Sequence, residues 1–191
     1  MQRHNHDVTF NNVTWRIADN RCLGAGIDFQ AEHWRGRNAG KNSLTGYTDV
    51  TMIITLDTSV LVSAARSRQG ASFALVSSLP NPQFDFALSV ALYTEWQAVL
   101  TRTEHLPPGV LAEDALAYLR YLASLARLQD LYYLWRPFLR DPDDDMVLEC
   151  AAASGSRYLV THNVRDFARS AELGVSAIAP AAFLALLRSS S

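Results

Sequence analysis

Four of the five residues from 141 to 145 are aspartates, and a helix-forming apolar segment, residues 146–153, follows them directly. Aspartates at a helix N-terminus can cap free backbone N–H groups and meet the positive end of the helix dipole. Carboxylates this close also repel one another, so a cation among them is a second interpretation. Mg²⁺ and other hard divalent ions take carboxylate oxygens as ligands. Acids at the ends of other core elements would favour the cation.

Such acids follow other apolar runs that have the composition of buried strands. In a parallel α/β sheet, ligands bind beyond the carboxyl ends of the strands. Carboxylate or amide side chains gathered at that edge, and otherwise unpaired, indicate a bound cation. Four successive strand-like runs are each followed by such residues. Asp57 follows the first run, and Glu95 comes one helical turn after the second. The acidic run at 141–145 follows the third, and Asn163 and Asp166 follow the fourth.

Each of these residues also has a purely structural interpretation. Asp57 would end its strand and cap the next helix, and Glu95 would be a solvated residue beside an apolar stripe. Asn163 would cap a short helix, and Asp166 would be a surface acid. Ser59 and Thr161 would be ordinary helix caps, and for Ser59 this interpretation is the favoured one.

Helical phase distinguishes the two aspartates that adjoin the apolar segment. Asp144 lies three and four residues before Val147 and Leu148, on the face predicted to be buried, and so it is the predicted inward ligand. Asp145 lies level with Glu149 and is predicted to face solvent.

Apolar runs alternate with helical patterns from Met52 to the C-terminus. This order, with little two-residue alternation inside the strands, predicts an α/β fold with a mostly parallel central sheet between two helical layers. The predicted strands are residues 52–56, 84–90, 131–135, 158–161 and 175–178. The predicted helices are residues 60–65, 71–79, 91–102, 110–128, the segment after the acidic run, 163–168 and 180–187.

The composition changes near Met52. Residues 1–51 are rich in Asn and Gly, their apolar residues have no period, and three histidines lack metal-ligand spacing. Residues 52–191 contain 11 Arg, 14 Asp plus Glu and no Lys. We therefore predict one domain at 52–191 preceded by an irregular extension, which is either an upstream piece before a true start at Met52 or a small partner-binding arm.

Composition also restricts the class of protein. The net charge of −2 leaves no large basic surface, so binding of nucleic acid would depend on locally placed arginines. The two cysteines suit neither a disulfide framework nor a zinc cluster. There is no signal-peptide pattern and no apolar run long enough to span a membrane, so we expect a cytoplasmic protein.

Three motifs resemble those of PIN domains, and they span nearly all of residues 52–191. The opening motif is Leu56-Asp57-Thr58-Ser59-Val60-Leu61, the central one is Arg140-Asp141-Pro142-Asp143-Asp144-Asp145, and the closing one is Tyr158-Leu159-Val160-Thr161-His162-Asn163-Val164-Arg165-Asp166-Phe167. Within the family, the VapC-like toxins of bacterial toxin–antitoxin systems are the most similar.

The resemblance implies a ribonuclease that depends on Mg²⁺ or Mn²⁺. The family's first three acids correspond to Asp57, Glu95 and Asp144. The fourth corresponds to Asn163 or to Asp166, and an amide at this place is a weaker ligand for a second metal ion. The resemblance also implies an RNA substrate, a homodimer and a cognate antitoxin.

Several polar residues near this edge are candidate contacts to the RNA backbone. Thr161 is a candidate donor to a phosphate oxygen. Arg140, Arg165 and Arg169 are either RNA contacts or counter-charges for the acids, and the sequence does not favour one over the other.

Three other classes compete with a metal-dependent nuclease. A haloacid-dehalogenase phosphatase and a response-regulator receiver both group acids in this way, but each uses a lysine, and residues 52–191 have none. A catalytically silent PIN-like module that binds RNA or an antitoxin is the remaining alternative, and Asn163 is the residue that supports it.

Overall fold

A computed structural model describes three short backbone segments near the N-terminus and then residues 52–106, 108–132 and 136–189. The three segments are the strands β1 (His6–Phe10), β2 (Val13–Ala18) and β3 (Arg21–Leu23), which form an antiparallel sheet. Part of the extension that we predicted to be irregular is therefore a small sheet. The rest of residues 1–51 lies outside the described residues.

The central sheet has five strands, all parallel, which confirms the predicted fold class. In chain order they are β4 (Met52–Leu56), β5 (Phe84–Leu88), β6 (Arg127–Leu128), β7 (Tyr158–Val160) and β8 (Ser176–Ile178). Their order across the sheet is β6-β5-β4-β7-β8, so β4 is the middle strand. A residue that directly follows β4 therefore lies at the centre of the sheet edge.

The middle strand is mostly apolar, and its second half is buried on both faces because helices cover both sides of the sheet. Ile54, Thr55 and Leu56 are fully buried. Ile54 is in register with Phe86 of β5 and with Tyr158 of β7. At the carboxyl end of β4, the N–H of Asp57 still donates to the carbonyl of Val160 at 3.0 Å. The backbone of Asp57 is thus tied to the sheet although the residue lies beyond the strand.

The described residues form six α-helices, and their order along the chain follows the predicted alternation. The helix α5 packs against β4, β5 and β7, while α1, α3 and α4 pack one against the next. The helices are α1 (Thr58–Arg66), α2 (Ala71–Ser77), α3 (Val90–Leu100), α4 (Ala112–Leu125), α5 (Asp145–Ala153) and α6 (Pro180–Ser189).

Two predicted elements differ from the structure. The third strand along the chain is β6, Arg127–Leu128, which begins two residues after the end of α4, where the long helix at 110–128 was predicted to continue, and which pairs with the end of β5. Residues 131 and 132 are not in a strand, and 133–135 lie outside the described residues. Both residues of β6 are exposed, so this edge strand lacks the apolar pattern of a buried one.

The second error is the short helix at 163–168. In the structure, residues 164–167 form turns, and a 3₁₀ helix follows at Ala168–Leu173. The 3₁₀ helix ends at Gly174, whose φ of 76° is accessible to glycine without steric cost. The hydrogen bond from the N–H of Asp166 to the carbonyl of Asn163, at 2.9 Å, closes one of these turns.

Aromatic residues from different elements join the helices to the sheet. Trp96 of α3 is fully buried, and its ring stacks on Phe86 of β5 with 6.4 Å between the ring centroids. Phe183 of α6 meets Phe84 edge to face at 5.4 Å. Because Trp96 anchors α3 to the sheet, the neighbouring residue Glu95 is held at a defined position.

Candidate active site

Asp57 directly follows β4 and is buried, with 5 % of its surface exposed. It occupies the N-cap position of α1, but its side chain makes no capping hydrogen bond. Its Oδ2 instead accepts hydrogen bonds from Ser59 Oγ at 2.5 Å and from Thr161 Oγ1 at 2.6 Å. Two hydroxyls thus fix the orientation of the carboxylate, and Asp57 ends the strand and occupies the N-cap position without capping the helix through its side chain.

The same two hydroxyls tie the loop after β7 to Asp57. Thr161 Oγ1 accepts from the N–H of Asn163 at 2.9 Å, and Ser59 Oγ accepts from the N–H of His162 at 3.3 Å. Ser59 lies inside α1, so it is not the helix cap that we predicted. The proton of the Thr161 hydroxyl is directed to Asp57 in this arrangement, and donation to a phosphate oxygen stays a prediction.

Glu95 lies half-buried on α3, and part of its carboxylate has no partner. Within the described parts of the chain, neither Glu95 Oε2 nor Thr58 Oγ1 makes a hydrogen bond of normal geometry. Burial raises the pKa of Glu95; the nearby Thr58 hydroxyl opposes that rise, and the charges of Asp57 and Asp143 add to it. A buried carboxylate oxygen without a donor is suited to accept a cation or a water molecule.

Asp144 is half-buried at the N-cap position of α5 and makes no capping hydrogen bond through its side chain. Burial first, and then the charges of Asp57, Asp141, Asp166 and Glu95 in that order, together raise its pKa to about 6. Asp144 is therefore close enough to four other acids to be affected by their charge. The sequence predicted that acids gather at this edge of the sheet, and the assignment of Asp57, Glu95 and Asp144 to one metal site stays a prediction.

The next residue, Asp145, corrects a prediction. It is 1 % exposed, and its carboxylate accepts hydrogen bonds from the N–H groups of Phe138 at 3.1 Å and Leu139 at 2.8 Å. Glu149, on the same side of α5, is also buried and pairs with Arg136 at 3.0 Å. Helical phase alone assigned this side to solvent, but residues 136–139 fold back against it.

The remaining predicted residues lie at the surface. Asn163, Asp166, Arg140 and Arg165 are all exposed. Among the residues that the structure describes, the side chains of these four make no hydrogen bond or ion pair. The charge of Asp166 nevertheless acts on Asp144, whereas Asn163 contributes no charge. Asp166 is therefore electrostatically part of the acidic group, and Asn163 is joined to it only through the loop.

The donor set suits a hard divalent cation, although it is not a closed ligand cage. The grouped side chains are carboxylates, and one of them has a buried oxygen without a partner. Within the described ranges, no three His, Cys, Asp or Glu side chains come close enough together to form a ready metal site. Burial, and then repulsion by the other acids, raises the pKa of Asp144, and a cation between the acids would reverse the effect of the repulsion.

We expect the charge of Asp144 to lower stability as the pH rises. Its pKa in the folded protein is about 6 against an ordinary 3.8, so ionisation costs the folded state more than the unfolded state. This cost in folding free energy is absent at a pH below the ordinary pKa of 3.8 and complete at a pH above the folded-state pKa of about 6. After allowance for solvent screening of this half-exposed group, it amounts to about 1 kcal/mol.

The measurement is urea unfolding of the wild-type protein and Asp144→Asn in the presence of a chelator. The variant should gain stability relative to the wild type at a pH of about 7.5, and this gain should vanish at a pH of about 4. A difference between the two proteins that does not change with pH would contradict the assigned pKa shift.

No helix among the described residues is long and apolar enough to cross a membrane.

Comparison with known proteins identifies the family. A family model described as PIN domain matches residues 54–165, a range that contains Asp57, Glu95, Asp144 and Asn163. A search of curated proteins found no match.

Two similar solved structures are those of VapBC-1 from nontypeable Haemophilus influenzae and of FitAB bound to an IR36 DNA fragment. The first has 18 % identity and a TM-score of 0.49, and the match covers 68 % of this chain and 99 % of that chain. The second has 21 % identity and a TM-score of 0.46, and the match covers 66 % of this chain and 94 % of that chain. Because the family model spans more than half of the sequence and its motifs meet at one edge of the sheet, the chain belongs to the PIN domain family.

Proposed function

We propose that this protein is a Mg²⁺- or Mn²⁺-dependent endoribonuclease. One observation carries the proposal: Asp57, Glu95, Asp144 and Asp166, from four separate parts of the chain, are close enough for the other three to raise the pKa of Asp144. PIN domains are generally nucleases that use divalent metal ions, so membership of the family agrees with this use of the acids.

Asp57, Glu95 and Asp144 would hold the cation. When bound there, a divalent ion would supply activation of a water for attack, by lowering the water's pKa from about 15.7 towards neutrality, and would stabilise the charge of the leaving 3′ oxygen. Ser59 and Thr161 orient Asp57 through its Oδ2, so that its other oxygen can face the centre of the acidic group. Glu95 presents Oε2, which has no other described partner.

The loop after β7 would complete the site. Asp166 would accept a proton from the attacking water or orient it, because its charge already acts on Asp144. Asn163 would be a weak ligand of a second cation. Arg140 and Arg165 are exposed beside the acids and would bind the RNA phosphates, while Thr161 is a further candidate phosphate donor.

We further propose that the protein is the toxin of a type II toxin–antitoxin pair, that it forms a homodimer and that it acts in the cytoplasm. The similarity of its motifs to those of VapC-like toxins suggests each of these properties. In this role the antitoxin would be a protein that blocks the acidic site, and co-purification with the product of the neighbouring gene would identify it.

A second candidate is a PIN-like module that binds RNA or an antitoxin without cleaving. The exposed amide of Asn163, at a place where many family members have an acid, favours it. In that case Asp57, Glu95 and Asp144 would contact a partner and would not support hydrolysis.

The two functions are separated by incubating the full chain with end-labelled RNA and with DNA of the same sequence. We expect internal cuts in RNA with Mg²⁺ or Mn²⁺, no cuts in excess chelator, and recovery when Mn²⁺ is added back. Cleavage that persists in chelator would refute the cation mechanism. Binding of RNA without cleavage under all these conditions would favour the silent module.

A further inference from the structure

Residues 136–139 connect directly to the acidic run, and three charged side chains hold them in place. Two of these, Asp145 and Glu149, belong to α5, and the third, Arg169, belongs to the 3₁₀ helix that follows Asp166. We call these three residues and their contacts to residues 136–139 the clasp. The clasp touches both loops that supply the predicted site, the one before α5 and the one after β7.

The first part of the clasp is Asp145. Its Oδ1 accepts from the N–H of Leu139 at 2.8 Å, and its Oδ2 accepts from the N–H of Phe138 at 3.1 Å. Both oxygens of a buried carboxylate are therefore used to bind the backbone only two or three residues before the acidic run. Because Asp145 directly follows Asp144 in the chain, the loop between residues 138 and 145 is closed at both ends.

Glu149 adds a second attachment one turn further along α5. Its carboxylate accepts from Arg136 Nη2 at 3.0 Å and from Arg136 Nε at 3.3 Å. A two-pronged bond between a guanidinium and a carboxylate restricts orientation as well as distance. The segment that leads into the acidic run is thus attached to α5 at residues 136, 138 and 139.

Arg169 joins this segment to the other loop. Its Nη1 donates to the carbonyl of Phe138 at 2.6 Å, and its guanidinium lies over the Phe138 ring, 4.2 Å from the centroid. Its Nε and Nη2 donate to Glu172 at 2.9 and 3.0 Å. Arg169 is thus occupied by residues of the protein itself. Among the described residues it pairs with none of the acids of the site, so it is not their counter-charge here. Three of its five N–H groups donate within the protein, and contact with RNA stays a prediction.

We propose that Arg169, acting through the segment held by Asp145 and Glu149, is a positioning residue that sets the place of Asp144 relative to Asp57 and Asp166. The proposal rests on the proposed cation site. Hydrogen bonds join residues 138 and 139, which precede Asp144, to Asp145, which follows it, and Arg169 attaches Phe138 to the segment after Asp166. These contacts fix the backbone that carries Asp144. Partners of this kind, one step removed from a metal ligand, typically change metal affinity or activity about 10- to 100-fold when they are mutated.

The test uses the full chain with Arg169→Ala, a substitution at a side chain that is 54 % exposed and is not needed to fill the core. Mn²⁺ affinity is measured by titration calorimetry without RNA, and hydrogen exchange is followed by mass spectrometry. We expect Mn²⁺ to bind about tenfold more weakly and the N–H groups of Phe138 and Leu139 to exchange faster. In the cleavage assay, more Mn²⁺ should be needed for half-maximal rate, with kcat largely recovered at saturating Mn²⁺.

Two matched control variants are compared with Arg169→Ala. They test whether loss of the Arg169–Glu172 ion pair, or loss of any exposed arginine, weakens Mn²⁺ binding as much as that substitution does. Glu172→Ala deletes the exposed partner of Arg169 but leaves its contacts with Phe138, and Arg188→Ala deletes an exposed arginine of α6. Both should stay within about twofold of the wild type, as surface substitutions usually do.

The outcomes separate this proposal from the proposed function. If the wild type binds Mn²⁺ but does not cut RNA, the ribonuclease proposal fails, and calorimetry with Arg169→Ala still decides the role of the clasp. Unchanged Mn²⁺ affinity in Arg169→Ala, or a loss confined to the KM for RNA, would overturn the clasp. A wild-type protein that binds no Mn²⁺ would overturn both.

Discussion

Asp144→Asn is expected to lower RNA cleavage by more than about 100-fold, beyond the range seen for residues that only support a metal ligand. Asn keeps the size of the side chain and one oxygen but removes the negative charge, which is what a hard cation requires. The substitution also removes repulsion from Asp57, Asp141, Asp166 and Glu95, so the folded protein should not lose stability. Loss of activity would therefore report on the chemistry of the site and not on unfolding.

The matched control is Asp143→Asn, one residue earlier in the same acidic run. Asp143 is exposed, and its backbone N–H, not its side chain, bonds to Asp141 Oδ1 at 3.1 Å. This variant loses the same charge, yet it should keep cleavage within about threefold, since Asp143 is exposed and its charge is the smallest of the effects on the pKa of Glu95. Single-turnover cleavage rates at saturating Mn²⁺, with circular dichroism to verify folding, give the comparison. Equal losses in the two variants would show that the run acts as a diffuse charge and that Asp144 has no special position.

Trp96→Ala is expected to lower the free energy of unfolding by about 3–5 kcal/mol, the range found for large aromatic side chains removed from a core. Trp96 is fully buried and stacks on Phe86, so its loss leaves a cavity between α3 and the sheet. Because Glu95 adjoins Trp96, Mn²⁺ affinity should fall as well. Urea unfolding in chelator measures the first effect, and calorimetry at a temperature where the variant is folded measures the second.

Trp96→Phe is the control for this prediction. It leaves an aromatic ring in contact with Phe86 and removes an indole N–H that is buried without a partner among the described residues. The remaining volume loss should cost about 1 kcal/mol, because a smaller cavity is left behind. If Trp96→Ala and Trp96→Phe destabilise the protein equally, then the stacking contact is not what holds α3.

The elements that the sequence predicted best are the buried ones. The middle strand β4 matches its prediction because an apolar run covered on both faces is visible without knowledge of its neighbours. The edge strand β6 does not, because it consists of two exposed residues that pair only with the end of β5. The run at 131–135 has the composition of a strand, but its described residues, 131 and 132, are not in one, and composition alone does not predict which segment pairs with β5.

The same distinction applies to the acids. Asp57 and Asp144 were predicted from local order, since one directly follows a strand and the other begins a helix. Asp145 was placed on the wrong side, because helical phase considers only the contacts of one helix with the core and not a loop that returns over its other face. The hydroxyls that orient Asp57 come from residues 59 and 161, and the second of these is more than 100 positions away.

Residue types and their order along the chain were sufficient to predict an α/β fold, a parallel sheet and a group of carboxylates at its carboxyl edge. These features follow from hydrophobic pattern and from the geometry common to all such sheets. The role of each acid depended on tertiary contacts. Asp144 is left with other carboxylates around it, whereas Asp145 is satisfied by two backbone N–H groups, and only the folding of residues 136–139 against α5 makes that difference.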